Sequence, residues 1–412
     1  MDPAPARSHR LAASAAKLAC LVTAALAPAT ARSLSDDHFS PFIEERFTSD
    51  DNVFRISNGV DPALVLGEPF RSDSYLTTSA GFLFDVPVSL QKFVGNVSVF
   101  RVHYNRFSGL DYDGHDFRAK WLWHAGDTTT GDLGVADTET LGSFAQLLST
   151  TPDRIKVHQG FGSITQEVAQ HWRLHAAAGR LEQRNSDPSQ LVNNVTIDTG
   201  EASLNRVSDS GNSIGLRARG EKGNFPDLQL FAPPIVDNAY HQYGIGPTID
   251  WALTGATHFV AHAEQIRRRY DELPQHNFDG QIGRAELSWT PGTHFAVAAI
   301  AQRDISPDEL IRSSLVLVKG VALRPLIRVT PNLELAANFE SDTRRYMADP
   351  TQPLCVADCR VDQVHAVSAL LTYRPARTVT LQASATHETR SSSVPFGDYV
   401  ANIIWVSARL QF

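Results

Sequence analysis

Ile404-Trp405-Val406-Ser407-Ala408-Arg409-Leu410-Gln411-Phe412 closes the chain and decides its fold class. In an extended strand successive side chains point to opposite faces. Ile404, Val406, Ala408, Leu410 and Phe412 then share one face, and Trp405, Ser407, Arg409 and Gln411 the other. Such a last strand ending in Phe is the pattern that outer-membrane barrels present to their insertion machinery, so Leu410 and Phe412 are expected to form that signal.

The same alternation recurs upstream. Leu333, Leu335, Ala337 and Phe339 oppose Asn332, Glu334, Asn338 and Glu340. Phe117, Ala119, Trp121 and Trp123 oppose Arg118, Lys120 and His124. Candidate strands run from 42–49 to 399–412 and number 18, with 16 the next even count down. That leaves about 21 residues for each strand with its connection, which suits transmembrane strands of about 9–11 residues. Connections alternate in length. Short ones such as 254–257, 290–293 and 330–332 are rich in Gly, Pro, Thr and Asn, as tight turns require. Longer ones lie between them, at 50–73, 106–114, 145–153, 185–196, 221–238, 271–278, 305–312, 347–362 and 392–398. A barrel with short periplasmic turns and long outer loops has this parity, whereas a soluble sandwich has no physical reason to keep it. The expected fold is all-β: a single closed antiparallel transmembrane barrel over 42–412, with both termini periplasmic. Closure follows from energetics, because an unpaired backbone amide in lipid costs several kcal/mol. Trp121, Trp123, Trp172, Trp251, Trp289, Tyr346 and Tyr373 lie near strand ends and are expected to form interfacial girdles.

Composition agrees. Of 412 residues 42% are hydrophobic and 20% charged, with a net charge of -8. The apolar content argues against disorder, and the acidic balance against a nucleic-acid partner. Residues 1–31 read as a signal peptide: Arg7, Arg10 and Lys17 precede the apolar run 18–27 and the small-x-small site Ala29-Thr30-Ala31. Residues 32–41 follow as a periplasmic segment. Export to an oxidising compartment makes Cys355 and Cys359 a loop disulfide pair, since no His or Cys lies at zinc-like spacing.

Catalytic patterns are sparse. There is no Gly-x-Ser-x-Gly elbow and no phosphate loop, and His258 and His262 fall on one strand face, unlike a helical metal pair. Asp50-Asp51-Asn52 is read as a turn cap. No enzyme activity, metal or cofactor is expected. The polar faces carry Arg118, Lys120, Arg217, Arg219, Arg284, Glu286, Glu334, Glu340, Glu388 and Arg409. Charges facing mid-membrane lipid would cost about 2–4 kcal/mol each, so these ten are expected to line a hydrated pore. The long apolar stretch 221–238, with Phe225, Leu228, Leu230, Phe231 and Ile235, is expected to fold inward as a constriction or to contact a partner or lipopolysaccharide.

Several stretches also carry a family resemblance: Ser49-Asp-Asp-Asn-Val-Phe-Arg55, Thr77-Thr-Ser-Ala-Gly-Phe-Leu-Phe-Asp85, Tyr112-Asp-Gly-His-Asp-Phe-Arg-Ala-Lys-Trp-Leu-Trp123, Ser210-Gly-Asn-Ser-Ile-Gly-Leu-Arg217, Tyr270-Asp-Glu-Leu-Pro274 and Val406-Ser-Ala-Arg-Leu-Gln-Phe412. In these the chain resembles the exosortase-associated exopolysaccharide outer-membrane barrels of the EpsL type. The resemblance implies an outer-membrane conduit for an extracellular polysaccharide, set among outer-membrane lipid and lipopolysaccharide. It also implies periplasmic and inner-membrane export proteins as partners. A general porin for small solutes or oligosaccharides is the alternative reading.

Overall fold

The alternating stretches pair into one 18-stranded antiparallel sheet, and β1 pairs with β18 to close it into a barrel. The computed structural model describes residues 38–147, 150–227, 237–305, 315–347 and 359–412. The expected signal peptide lies outside these. In chain order the strands are β1 (Phe39–Asp50), β2 (Asp73–Val88), β3 (Gln91–Tyr104), β4 (Tyr112–Ala125), β5 (Thr129–Leu141), β6 (Arg154–Ala169), β7 (Trp172–Asn185), β8 (Val195–Val207) and β9 (Ser213–Asn224). The second half comprises β10 (Tyr240–Thr254), β11 (Thr257–Tyr270), β12 (Phe278–Trp289), β13 (Phe295–Ile305), β14 (Leu315–Thr330), β15 (Leu333–Met347), β16 (Arg360–Ala376), β17 (Val379–Ser392) and β18 (Tyr399–Gln411). At the seam Phe42 faces Gln411 and Asp50 faces Ile403, so no edge is left open. Short turns gather at one end of the barrel and long connections at the other.

Strand register divides each strand into an outward and an inward set. Val99, Phe117, Val135, Leu216, Leu323, Phe339, Val367 and Ile404 project outward and are exposed on the wall. Aromatic–glycine packing fixes part of the sheet: Tyr240 of β10 lies across Gly223 of β9, its register partner, where any Cβ would clash with the ring. Of the expected girdle residues, Trp121, Trp172, Trp289 and Tyr373 are outward and exposed. Tyr346 departs from that expectation. It falls on the inward set of β15, is buried, and packs with Val316 and Val318 beneath the Arg360 guanidinium, 4.3 Å from the ring centroid. A polar partner and an apolar inner cluster hold it in.

Two long connections fold back into the barrel. The first, 51–72, carries the short helix α1 (Pro62–Leu66). Asp61 caps it by accepting from the Ala63 amide at 3.0 Å, Pro62 opens it, and Gly67 ends it with φ 70°. The second carries α2 (Phe144–Leu147). The sequence pattern predicts a strand over 130–144. The strand stops at Leu141 because Phe144 leaves the sheet to pack against Phe54, with ring centroids 4.7 Å apart. Val53, Phe54, Ile56, Val102, Tyr104, Leu110 and Phe144 form one buried cluster. It seals the two connections to the inner wall near the long-loop end.

Candidate functional site: the barrel interior

The ten charged residues singled out by alternation fall on the inward sets of their strands, and each has a polar partner there. Arg409 of β18 donates to Glu44 of β1 at 2.7 Å, and Arg46 donates to the same carboxylate at 2.9 Å. Arg409 covers the Phe42 ring at 4.2 Å and Arg46 covers Trp405 at 4.4 Å. On β4 Arg118 pairs with Asp116 at 2.8 Å, and Lys120 reaches across to Asp132 of β5. Arg217 bonds Glu264 of β11 and lies 3.7 Å from Glu201 of β8. Arg219 pairs with Glu221 at 2.6 Å, and Arg284 with Glu286 at 3.0 Å. Glu334 lies 3.6 Å from Arg328, Glu340 accepts from Asn338 at 3.2 Å, and Glu388 accepts from the Tyr399 hydroxyl. The enclosed pairs, Arg217–Glu264 and Arg219–Glu221, are partly desolvated and worth more than exposed ones such as Arg118–Asp116.

Residues that alternation alone did not single out complete the network. Arg268 of β11 is 2% exposed. It donates to Gln242 at 2.9 Å and to Glu221 at 3.3 Å, and stacks 3.8 Å over Tyr240, whose hydroxyl donates to Glu221 at 2.7 Å. In sequence Arg268 sits in the run Arg267-Arg268-Arg269, where only register shows which of the three points inward. His258 and His262 are inward too, and His258 sits 2.6 Å from Asp250. Among the described residues no group of three or more His, Cys, Asp or Glu is placed to hold a metal.

At the long-loop end the interior is bridged. Arg390 of β17 donates to the Ala145 carbonyl of α2 across a sequence separation of 245 residues. The side-chain amide of Asn52 donates to the Ile56 carbonyl at 2.8 Å and to the Val400 carbonyl at 3.0 Å. Asp50 accepts from the Asn52 amide at 2.8 Å, which makes Asp50-Asp51-Asn52 a turn-capping element. Burial lowers the pKa of Arg55, but the Asp50 carboxylate, 2.9 Å away, together with Glu388 and Tyr399, raises it above the usual range. A cavity of about 520 Å³ is lined by Phe54, Val65, Phe144, Gln190, Arg390 and Phe396, so four long connections converge on it. Below it a cavity of about 660 Å³ is lined by Glu44, Arg46, Asp50, Tyr75, Tyr104 and Trp405, among others.

The expected constriction segment is only partly described. Phe225 is buried against Val195, Ile197, Tyr240, Tyr270 and Leu273 on the inner wall, while Leu228, Leu230, Phe231 and Ile235 lie outside the described residues. Cys359 is disulfide-bonded, and Cys355 lies outside the described residues. At the seam Leu410 faces Ile43 of β1, and the Phe412 amide donates to the Pro41 carbonyl at 2.9 Å.

Residues 261–412 match the family described as "Putative beta-barrel porin 2". No curated protein matches the chain. Among solved structures, the outer membrane protein OpdK from Pseudomonas aeruginosa is similar at 11% identity, covering 91% of this chain and 100% of its own, with a TM-score of 0.49. A BenF-like porin from Pseudomonas fluorescens Pf-5 is similar at 10% identity, covering 91% and 99%, with a TM-score of 0.48. OccAB3 of Acinetobacter baumannii is similar at 11% identity, covering 91% and 98%, with a TM-score of 0.47. The family match and the closed barrel together support an outer-membrane β-barrel of porin type.

Proposed function

We propose that the protein is a passive outer-membrane porin for small hydrated solutes, with the ten inward charges lining its pore. The observation that carries this reading is the bridged mouth. The connection 51–72 and α2 pack into the lumen, and Arg390 ties α2 to β17, a strand remote in sequence. Packed segments across the mouth favour small solutes over a polymer chain. Rings of charge at a water-filled constriction select permeants by charge and hydration. The porin-family match over 261–412 supports the same reading.

Liposome swelling with sugars of increasing length, together with planar-bilayer conductance, tests it. Uptake of mono- and disaccharides that falls off with length is the expected result. Proteoliposomes that stay impermeable to every small solute would overturn the reading. Export of an extracellular polysaccharide is the second reading, and it rests on the sequence resemblance. A deletion strain that loses its exopolysaccharide, while the purified barrel admits no small sugar, would favour it.

A further inference from the structure

The outer wall carries charge toward the long-loop end, and most of that charge is neutralised in place. Arg101 pairs with Asp113 at 2.7 Å, Arg180 with Asp198 at 2.7 Å and Arg269 with Asp279 at 2.8 Å. His115 bonds Asp137. On β13 and β14 the pattern breaks. Arg303 faces Lys319 directly across the two strands. Like charges directly opposite one another destabilise a sheet. Neither side chain has an ion pair or hydrogen bond among the described residues, and the Arg303 Nε is buried without a partner. The outward position opposite Lys319 on β15 is Thr343, a neutral hydroxyl.

Toward the short-turn end from this pair, the same wall is hollow. A groove of about 830 Å³ has a floor that includes Ala261, Ala263, Gly283, Ala285 and Ala301, and Arg303 and Lys319 stand among its lining residues. Its sides include Ile214, Pro247, Ile249 and Val321. The low floor is built into the backbone. A Cβ at Gly283 would come within 2.6 Å of the His262 carbonyl oxygen. Elsewhere the wall bears larger side chains such as Phe117, Leu216 and Leu323.

We propose that this groove is a binding site for a phosphorylated, acylated glycolipid of the outer leaflet, of the lipid A class. Arg303 and Lys319 hold its phosphate, and its acyl chains lie in the groove. Two adjacent unpaired cations suit a phosphate, which accepts charge-assisted hydrogen bonds from both. An apolar hollow continuous with them suits acyl chains carried on the same sugar backbone that bears the phosphate. A soluble anion would satisfy the cations and leave the groove unfilled. The proposal rests on the outer-membrane reading, which places the long-loop end at the outer leaflet.

Native mass spectrometry of the full-length barrel in detergent tests it, with lipid A, phosphatidylglycerol and phosphatidylethanolamine as probes. The expected result is a one-to-one lipid A complex that weakens about tenfold or more in R303Q/K319Q, the loss of two charge-assisted bonds. A263L/A301L fills the groove, leaves both cations, and is expected to weaken the complex as well. R180Q, which removes a cation already paired with Asp198, is expected to leave it unchanged. Lipid A retained no better than phosphatidylethanolamine, or retained equally by R303Q/K319Q, would overturn the site. Phosphatidylglycerol held as tightly as lipid A would overturn the glycolipid assignment. Conductance and heat-dependent gel mobility of each variant are read alongside. Their loss in the unsubstituted protein speaks against the porin itself, whereas lipid results that fail with conductance intact speak against this site alone.

Discussion

Arg268 and Arg118 show how differently the same side chain is held. Arg268 is enclosed by Tyr240, Gln242 and Glu221, whereas the Arg118 side chain is 62% exposed beside Asp116. Removing one partner of a buried pair leaves an uncompensated charge and costs about 3–5 kcal/mol. An exposed pair is worth about 0–1 kcal/mol. Arg268→Ala should therefore lower the urea midpoint for loss of the heat-resistant gel form by far more than Arg118→Ala. Equal midpoints would show that the β9–β11 network is not stabilising. The run 267–269 gives three arginines equal standing in sequence. Register alone sends the middle one inward, opposite Gln242, and leaves Arg267 and Arg269 beside Asp279 on the outer wall.

At the scale of elements, the connection 51–72 and α2 decide how open the barrel is. Phe54 packs on Phe107 at 4.9 Å as well as on Phe144, so it anchors both connections. Truncating a buried Phe to Ala costs about 3–5 kcal/mol. Phe54→Ala should undock the connections from the wall, raise single-channel conductance and widen the size cut-off for sugars. Conductance identical to that of the unsubstituted protein would remove these segments from the constriction. The apolar residues of 51–72 are plain in the sequence, yet nothing local marks them as inward. Their docking depends on α2 and on Arg390, which are remote along the chain. The stretch 221–238 is also apolar in sequence, so composition alone does not mark 51–72 as inward. The end of β5 at Leu141 has a related cause, because Phe144 leaves the sheet to pack on Phe54, which is remote along the chain.

For the whole molecule, one closed sheet separates an apolar outer face from a charged inner one. Leu323 lies on the outward set within the apolar wall, so Leu323→Arg should cost about 2–4 kcal/mol if that wall meets the bilayer midplane. The measurement is the folded fraction in lipid vesicles, and a variant as stable as the unsubstituted barrel would contradict the orientation. On the inner face, R217Q/R219Q/R284Q removes three of the inward cations. The reversal potential under a salt gradient should shift toward cation selectivity. The shift should shrink near 1 M salt, where the Debye length falls to about 3 Å. A reversal potential that does not move would show that these residues do not line the permeation path.

The barrel is written in local patterns of the chain. Alternation with a period of 2 and the strict parity of short and long connections are local properties, and closure follows because a spanning sheet tolerates no unpaired edge. The sequence also placed the ten charges on one set of strand positions, since a strand offers only two faces. Tertiary structure decided everything that depends on which residues meet across the barrel: Glu44 with Arg409 at the seam, Arg390 with α2, Tyr346 turned inward beneath Arg360, and Arg303 opposite Lys319 with no acid between them. Those contacts are set by register and loop docking over separations that no local pattern encodes.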